Sequence, residues 1–104
     1  METSRTYIGN EIYEDGSVDG MFLTVLDSHG EVYGYGIAKE INYVSLKTHC
    51  FYYVETDLVH IPEDDVDLRY NTVVLTTTEE RLKMLEALKA YGYKWNFQTK
   101  QIEE

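Results

Sequence analysis

The stretch that decides the fold is residues 21–37, MFLTVLDSHGEVYGYGI. An apolar, partly β-branched run leads into the loop Asp27-Ser28-His29-Gly30, and a segment of alternating side chains follows. Two β-type runs separated by a short loop that contains glycine are typical of an antiparallel hairpin. We therefore expect the sheet of this protein to be built outward from a hairpin at 21–37.

The second half of that hairpin predicts which side chains share a face, because successive residues of a strand point to opposite sides. One face is expected to carry Tyr33, Tyr35 and Ile37. The other is expected to carry Val32, Gly34 and Gly36. Two glycines on one face leave room for a neighbouring ring or backbone to approach.

Four further regions have strand-like composition. They are an N-terminal edge strand at 6–8 and 11–13, then 40–46, 49–55 and 71–76. Lys47 and Thr48 are expected to separate the second region from the third. Residues 57–71, with the only proline, Pro62, and the densest acidic residues, are expected to be the least regular part of the chain.

One helix is predicted after the last of these strands. Thr77-Thr78-Glu79-Glu80 places a threonine three residues before a glutamate, which is a capping box. Gly92 stands where a left-handed C-terminal cap is wanted, so the helix should cover about 78–91. The expected core face contains Leu82, Met84, Leu85, Leu88 and Tyr91. The expected solvent face contains Glu79, Lys83 and Glu86.

These elements predict a single α+β domain over residues 1–104. A mostly antiparallel sheet of four to six strands would pack on the one amphipathic helix. Tyr93, Trp95 and Phe97 alternate and Ile102 follows, which predicts a short C-terminal hairpin. The aromatic tail 93–97 would close the sheet edge or pair with residues 72–76.

The C-terminal quarter of the chain resembles a known group of proteins. The helix ERLKMLEALKAYG followed by YKWNFQTKQIE is similar to the endings of many small phage and prophage accessory proteins, often written GYxWN followed by TKxIE. That resemblance implies a phage or mobile-element origin and, with it, an inhibitor of a host system. It implies no functional residue.

Charge restricts the class of partner. The 104 residues have a net charge of −10, and up to residue 76 fourteen acidic side chains face only four basic ones. Such a domain repels phosphates, so we expect no direct binding of nucleic acid or of an acidic membrane. No run of about 18 apolar residues and no signal peptide is visible. The single cysteine, Cys50, fits a reducing compartment such as the bacterial cytoplasm.

Metal sites and catalytic sites find little support in the residue pattern. His49 and Cys50 are adjacent and would point to opposite faces of a strand, and His29 and His60 supply no second ligand pair. A calcium loop starting at Asp65 would need glycine and glutamate where the chain has Tyr70 and Thr76. Cys50 lies among bulky apolar residues and is expected to be a buried core thiol. We therefore expect no metal, no cofactor and no enzymatic activity.

The leading functional hypothesis is a non-enzymatic acidic protein that occupies the basic nucleic-acid-binding groove of a host defence protein, as anti-CRISPR and anti-restriction proteins do. Most of the ten tyrosines are expected to be half-buried sheet residues, and the sharper hypothesis is that several of them line an interaction surface, where tyrosine is also enriched. The candidate contact residues are Glu55, Asp57, Glu63, Asp64, Asp65, Asp67, Tyr52 and Tyr70.

Three alternatives stay open. The acids around 63–67 could cap a short helix starting at Pro62. The protein could instead sequester a small nucleotide between protomers, although Arg5, Lys39, Lys47 and Arg69 are few groups with which to hold phosphates. The third alternative is a phage structural or assembly module, which the sequence neither supports nor excludes.

Overall fold

The computed structural model describes residues 18–42, 44–61 and 64–104, which form an α+β fold with a mostly antiparallel sheet, as predicted. In chain order the elements are β1 (Phe22–Leu26), β2 (Val32–Ile41), β3 (Ser45–Tyr53), β4 (Leu58–His60), β5 (Asp64–Asp67), β6 (Thr72–Leu75), α1 (Thr78–Ala90), β7 (Lys94–Asn96) and β8 (Gln101–Glu103). The N-terminal strands predicted at 6–8 and 11–13 lie outside the described residues.

The main sheet has the strand order β4-β3-β2-β1-β6, and β5 also pairs with β3. The predicted hairpin at 21–37 is confirmed as the antiparallel pair β1–β2, in which Phe22 faces Ile37. The strand predicted at 71–76 is confirmed as β6, which pairs with β1. Strands β4 and β5 follow one another along the same edge of β3.

The predicted boundary between β2 and β3, with a separate strand at 40–46 and a connection at Lys47 and Thr48, was wrong. Residues 40–46 do not form one strand, because β2 runs on to Ile41 and β3 already begins at Ser45. The turn is set by Asn42, whose Oδ1 accepts hydrogen bonds from the backbone N–H groups of Val44 and Ser45, each at 2.9 Å. Asparagine favours such turns because its side chain can replace a backbone acceptor.

Residues 57–71, which were predicted to be the least regular part of the chain, contain only two short strands, β4 and β5. The alternative of a short helix starting at Pro62 is contradicted on its described part. Residues 64–67 form a strand whose backbone pairs with residues 45–48 of β3. Pro62 and Glu63 themselves lie outside the described residues.

The sheet has a core on each face. One, called the strap-side core after the connecting segment 68–71, contains Val18, Leu23, Val25, Ala38, Ile41, Leu46, Phe51, Val66, Leu68 and Val73. The helix-side core contains Phe22, Tyr35, Ile37, Cys50, Tyr52, Met84, Leu88 and Trp95. Burial of apolar area on both faces is the main favourable term for a domain of this size.

Residues 68–71 form a strap that joins the two edges of the sheet. The strap leaves β5 at one edge and enters β6 at the other, and the five Cα–Cα steps from Asp67 to Thr72 span at most about 18 Å. A flat sheet would hold those edges at least about 19 Å apart, because four inter-strand spacings separate them. The sheet is therefore curved, with Leu68 buried against Val66 and Val73 in the strap-side core.

Helix α1 has both of its predicted caps. The Thr77 hydroxyl accepts from the Glu80 N–H at 3.2 Å, and the Glu80 carboxylate accepts from the Thr77 N–H at 3.1 Å. At the other end Gly92 has a φ of 87°, and the Tyr93 N–H donates to the Leu88 carbonyl at 3.1 Å. That pair of features is a Schellman motif. No helix among the described residues is long and apolar enough to cross a membrane.

The predicted core face of the helix was partly wrong. Met84 and Leu88 are fully buried, but Leu82 and Tyr91 are exposed. Leu82 lies about 160° round the helix from Met84, so it cannot share that face. Tyr91 is the C-cap residue and lies beyond the last helical turn. The buried stripe also contains Glu80, whose carboxylate accepts a hydrogen bond from the Thr24 hydroxyl at 2.9 Å.

The tail forms its own two-stranded sheet. Strand β7 pairs with β8, with Trp95 opposite Ile102. It does not pair with β6, so the predicted pairing of the tail with residues 72–76 was wrong. The Trp95 side chain is buried in the helix-side core, where it lies 5.0 Å from the His49 ring. This burial places the tail against the sheet face that already carries the helix.

Candidate functional site

The acidic residues of the third quarter of the chain lie along one edge of the curved sheet. We call this set the acidic edge; it consists of Glu55, Asp57, Asp64, Asp65 and Asp67. The first two lie in the turn between β3 and β4, and the other three lie on β5. Glu63, which was predicted to belong to the same surface, lies outside the described residues. The fold thus brings the predicted acids to a single edge although β4 separates them.

The β3–β4 turn fixes the carboxylate of Asp57. Asp57 has a φ of 60°, and its N–H donates to the Tyr53 carbonyl at 2.9 Å. The Tyr52 hydroxyl donates a hydrogen bond to Oδ1 of Asp57. Tyr52 itself is 2% exposed and its ring stacks on Tyr35 at 5.6 Å. Tyr52 therefore orients the exposed Asp57 carboxylate through its hydroxyl. Its own ring is buried and is not accessible to a partner, in contrast to the prediction.

This hydrogen bond predicts that the stability of the protein falls at alkaline pH. The bond to Asp57, together with burial, raises the pKa of Tyr52 from 10.0 to about 12. The folded state therefore keeps a proton that the unfolded state loses, and the stabilisation is present below pH 10 and is lost as the pH rises to about 12. We expect Tyr52→Phe to make the urea midpoint fall less between pH 10 and 12 than it falls in the parent.

The control for that measurement is Tyr70→Phe, because Tyr70 is 70% exposed. It should show the same alkaline decline as the parent. Some decline should persist in every variant, since burial also raises the pKa of the Cys50 thiol from 9.0 to about 12. A Tyr52→Phe variant that declines as steeply as the parent would contradict the assigned role of the hydrogen bond.

Part of the acidic edge is compensated by basic side chains. Asp65 lies opposite Lys47 in the β3–β5 register, and Lys47 also contacts Glu40 at 3.4 Å. Asp67 binds Arg69 at 2.8 Å, and the hydrogen bonds from Arg69 lower the pKa of the Asp67 carboxyl. Charges on an edge strand also discourage edge-to-edge aggregation, which is a structural reason for their presence.

Tyr70 is the predicted tyrosine that the structure does expose. It lies on the strap, and the guanidinium carbon of Arg69 lies 5.8 Å from the centre of its ring. Arg69 in turn forms its ion pair with Asp67. An aromatic ring, a cation and a carboxylate therefore follow one another at the end of β5.

Sequence reasoning missed a second acidic turn. The β1–β2 turn lies at the same end of the sheet as the β3–β4 turn, because β2 starts and β3 ends there. Its Asp27 is used locally, accepting from the N–H groups of His29 and Glu31 at 2.8 and 3.0 Å. Glu31 is exposed. The predicted separate strand at 40–46 would have placed the two turns at opposite ends of the sheet, because it adds one strand between them.

Other reactive side chains are engaged in the fold. Cys50 is fully buried, as predicted. His49 Nε2 lies 2.7 Å from Asp19 Oδ1, next to the buried Trp95 ring. The described part of the chain holds no group of three or more histidine, cysteine or acidic side chains arranged to bind a metal ion.

Comparison of the chain with protein-family models, with curated proteins and with solved structures finds no match.

Proposed function

We propose that this protein is a non-enzymatic inhibitor of phage or mobile-element origin. It acts in the bacterial cytoplasm by occupying the basic groove of a host protein that handles nucleic acid. The observation that carries the proposal is the acidic edge, because residues 55–67 run along a single edge of the sheet and carry its acidic side chains there. The resemblance of the C-terminal segment to phage accessory proteins supports the origin.

Electrostatics explain how such an edge would act. A groove built to hold phosphates has a positive potential, which attracts an anionic domain and speeds its encounter. The net charge of −10 gives the long-range attraction, and the exposed Glu55 and Asp65 provide the near contacts. Tyr70, which is 70% exposed, supplies an aromatic anchor at the far end of the edge.

The test compares two variants of equal charge change. The edge variant is Glu55→Gln and Asp65→Asn, which spares the Asp57 and Asp67 carboxylates that bind Tyr52 and Arg69. The control variant is Glu79→Gln and Glu86→Gln, on the exposed face of the helix. A partner is first captured from a bacterial lysate and identified, and association rates are then measured at two salt concentrations.

We expect the edge variant to associate more slowly and with a weaker salt dependence, because rim charges act mainly on the association rate. The control variant should lie close to the parent. Both should unfold within about 1 kcal/mol of the parent, as exposed substitutions usually do. Equal rates and equal salt slopes for the two variants would overturn the role of the acidic edge.

A further inference from the structure

A cluster of aromatic rings lies beside the β3–β4 turn, on the strap side of the sheet. The Tyr33 ring lies 5.8 Å from Phe51 and 5.6 Å from Tyr53, and Phe51 lies 4.9 Å from Tyr53. Phe51 is fully buried, but Tyr33 is 42% exposed. Tyr53 is half-buried. The two tyrosines thus cover a buried ring and present their own rings toward solvent.

The position of Tyr33 results from a β-bulge, which the sequence pattern does not reveal. Val25 faces Gly34 and Leu26 faces Val32, so Tyr33 is the extra residue of β2. A bulge re-aims side chains, and here it places Tyr33 with Phe51 rather than with Tyr35 on the helix side. The prediction that Tyr33, Tyr35 and Ile37 share a face is therefore wrong for Tyr33.

Leu58 extends this surface, and acidic residues border it. Leu58 lies directly opposite Tyr53 in the β3–β4 pair and is 56% exposed. We call Tyr33, Tyr53 and Leu58 the aromatic patch. The two turns beside it carry the exposed acids Glu31, Glu55 and Asp57. Residues 26–34 and 52–60, which form the two turns and the strand ends next to them, contain no lysine or arginine.

We propose that the aromatic patch is the anchor point for an arginine side chain on a basic segment of the partner protein. The inference rests on the proposed function and names the contact within it. Arginine matches the surface better than lysine does, because its flat guanidinium stacks on an aromatic face and can bind carboxylates in a bidentate manner. The tyrosine rings supply the stacking surface, and Glu31 and Glu55 supply the carboxylates.

The test uses two synthetic peptides of equal charge, (Arg-Gly)4 and (Lys-Gly)4, titrated into the isotopically labelled full-length protein. Backbone amide shifts report where each peptide binds and how tightly. We expect the arginine peptide to bind about threefold or more tighter, and to shift the amides of Tyr33, Tyr53 and Leu58 most strongly. The lysine peptide should bind by charge alone, with shifts spread along the acidic edge.

Variants at Tyr33 separate stacking from apolar contact. Tyr33→Leu keeps apolar area and should lose the preference for arginine, whereas Tyr33→Phe keeps the ring and should retain it. Tyr91→Leu removes an exposed tyrosine at the C-cap of the helix, outside both proposed contact surfaces, and should leave the preference unchanged. Amide spectra of each free variant verify that it is folded.

Two results would overturn the inference. Equal affinities for the two peptides would do so, as would an arginine preference that survives Tyr33→Leu in a folded protein. The proposed function is judged separately by the association rates of the edge variant. Slowed association without an arginine preference would remove the aromatic patch and leave the acidic groove-binding role intact.

Discussion

Leu88→Ala should lower the free energy of unfolding by about 2–5 kcal/mol, the usual range for truncating a large buried side chain. Leu88 is fully buried in the helix-side core, where it packs with Met84, Tyr35 and Tyr52. Domains of this size are commonly stable by only about 5–15 kcal/mol, so the loss is a large part of the total. Met84→Ala should have an effect in the same range.

Leu82→Ala is the matched control, because it makes the same chemical change in the same helix. Leu82 is 57% exposed, so its truncation should change the free energy of unfolding by no more than about 0.5 kcal/mol. Urea unfolding followed by the fluorescence of Trp95, the only tryptophan, measures all three variants. Similar midpoints for Leu82→Ala and Leu88→Ala would contradict the assigned orientation of the helix.

The helix was predictable because its determinants are local. Thr77 and Glu80 form the cap within three residues of sequence, and Gly92 ends the helix through contacts one turn away. The direction of the buried face was less well predicted. Leu82 was assigned to the expected core face because it is apolar, although its angular position about the helix axis places it on another face.

The sheet was predictable only where one turn decides the pairing. Residues 21–37 contain both strands of the hairpin and the loop between them, so composition suffices. Strand β5 is different, because its acidic sequence is atypical of a strand and it is held by pairing with β3. Asn42 was a local turn signal that was overlooked, and the apolar residues around it were assigned to a single strand instead.

The candidate site was also predictable only where neighbouring residues determine it. The acids from residue 55 to residue 67 could be grouped from sequence, because they are neighbours in the chain. Tertiary structure decides the rest: it buries Tyr52 and brings the β1–β2 turn with Glu31 to the same end of the sheet. The aromatic patch depends on the β-bulge at Tyr33. No local sequence pattern identifies the residue at which the pairing register of two strands shifts by one.

Gly34→Ala should be the most damaging single-methyl addition among the described glycines, at about 3 kcal/mol or more. A β-carbon on Gly34 would lie 2.4 Å from the Tyr52 carbonyl oxygen and 2.4 Å from Cε2 of the Phe51 ring. The carbonyl belongs to the neighbouring strand, where Gly34 pairs with Tyr53, so it cannot move without opening the ladder. The sequence prediction that these glycines admit a neighbouring ring is confirmed by Phe51.

Gly36→Ala is the graded control, because its β-carbon would meet only side chains. The nearest atoms are carbons of Phe51 and Thr48 at 2.9 Å, and side chains can shift where a backbone cannot. Its cost should therefore be lower, about 1–3 kcal/mol. Urea unfolding should give the parent a higher free energy of unfolding than Gly36→Ala, and Gly36→Ala a higher one than Gly34→Ala. The reverse order of the two variants would contradict the packing of these glycines against Phe51.

Since Phe51 supports the rings of Tyr33 and Tyr53, a folded Gly34→Ala protein should also lose its preference for the arginine peptide, while the acidic edge still attracts both peptides.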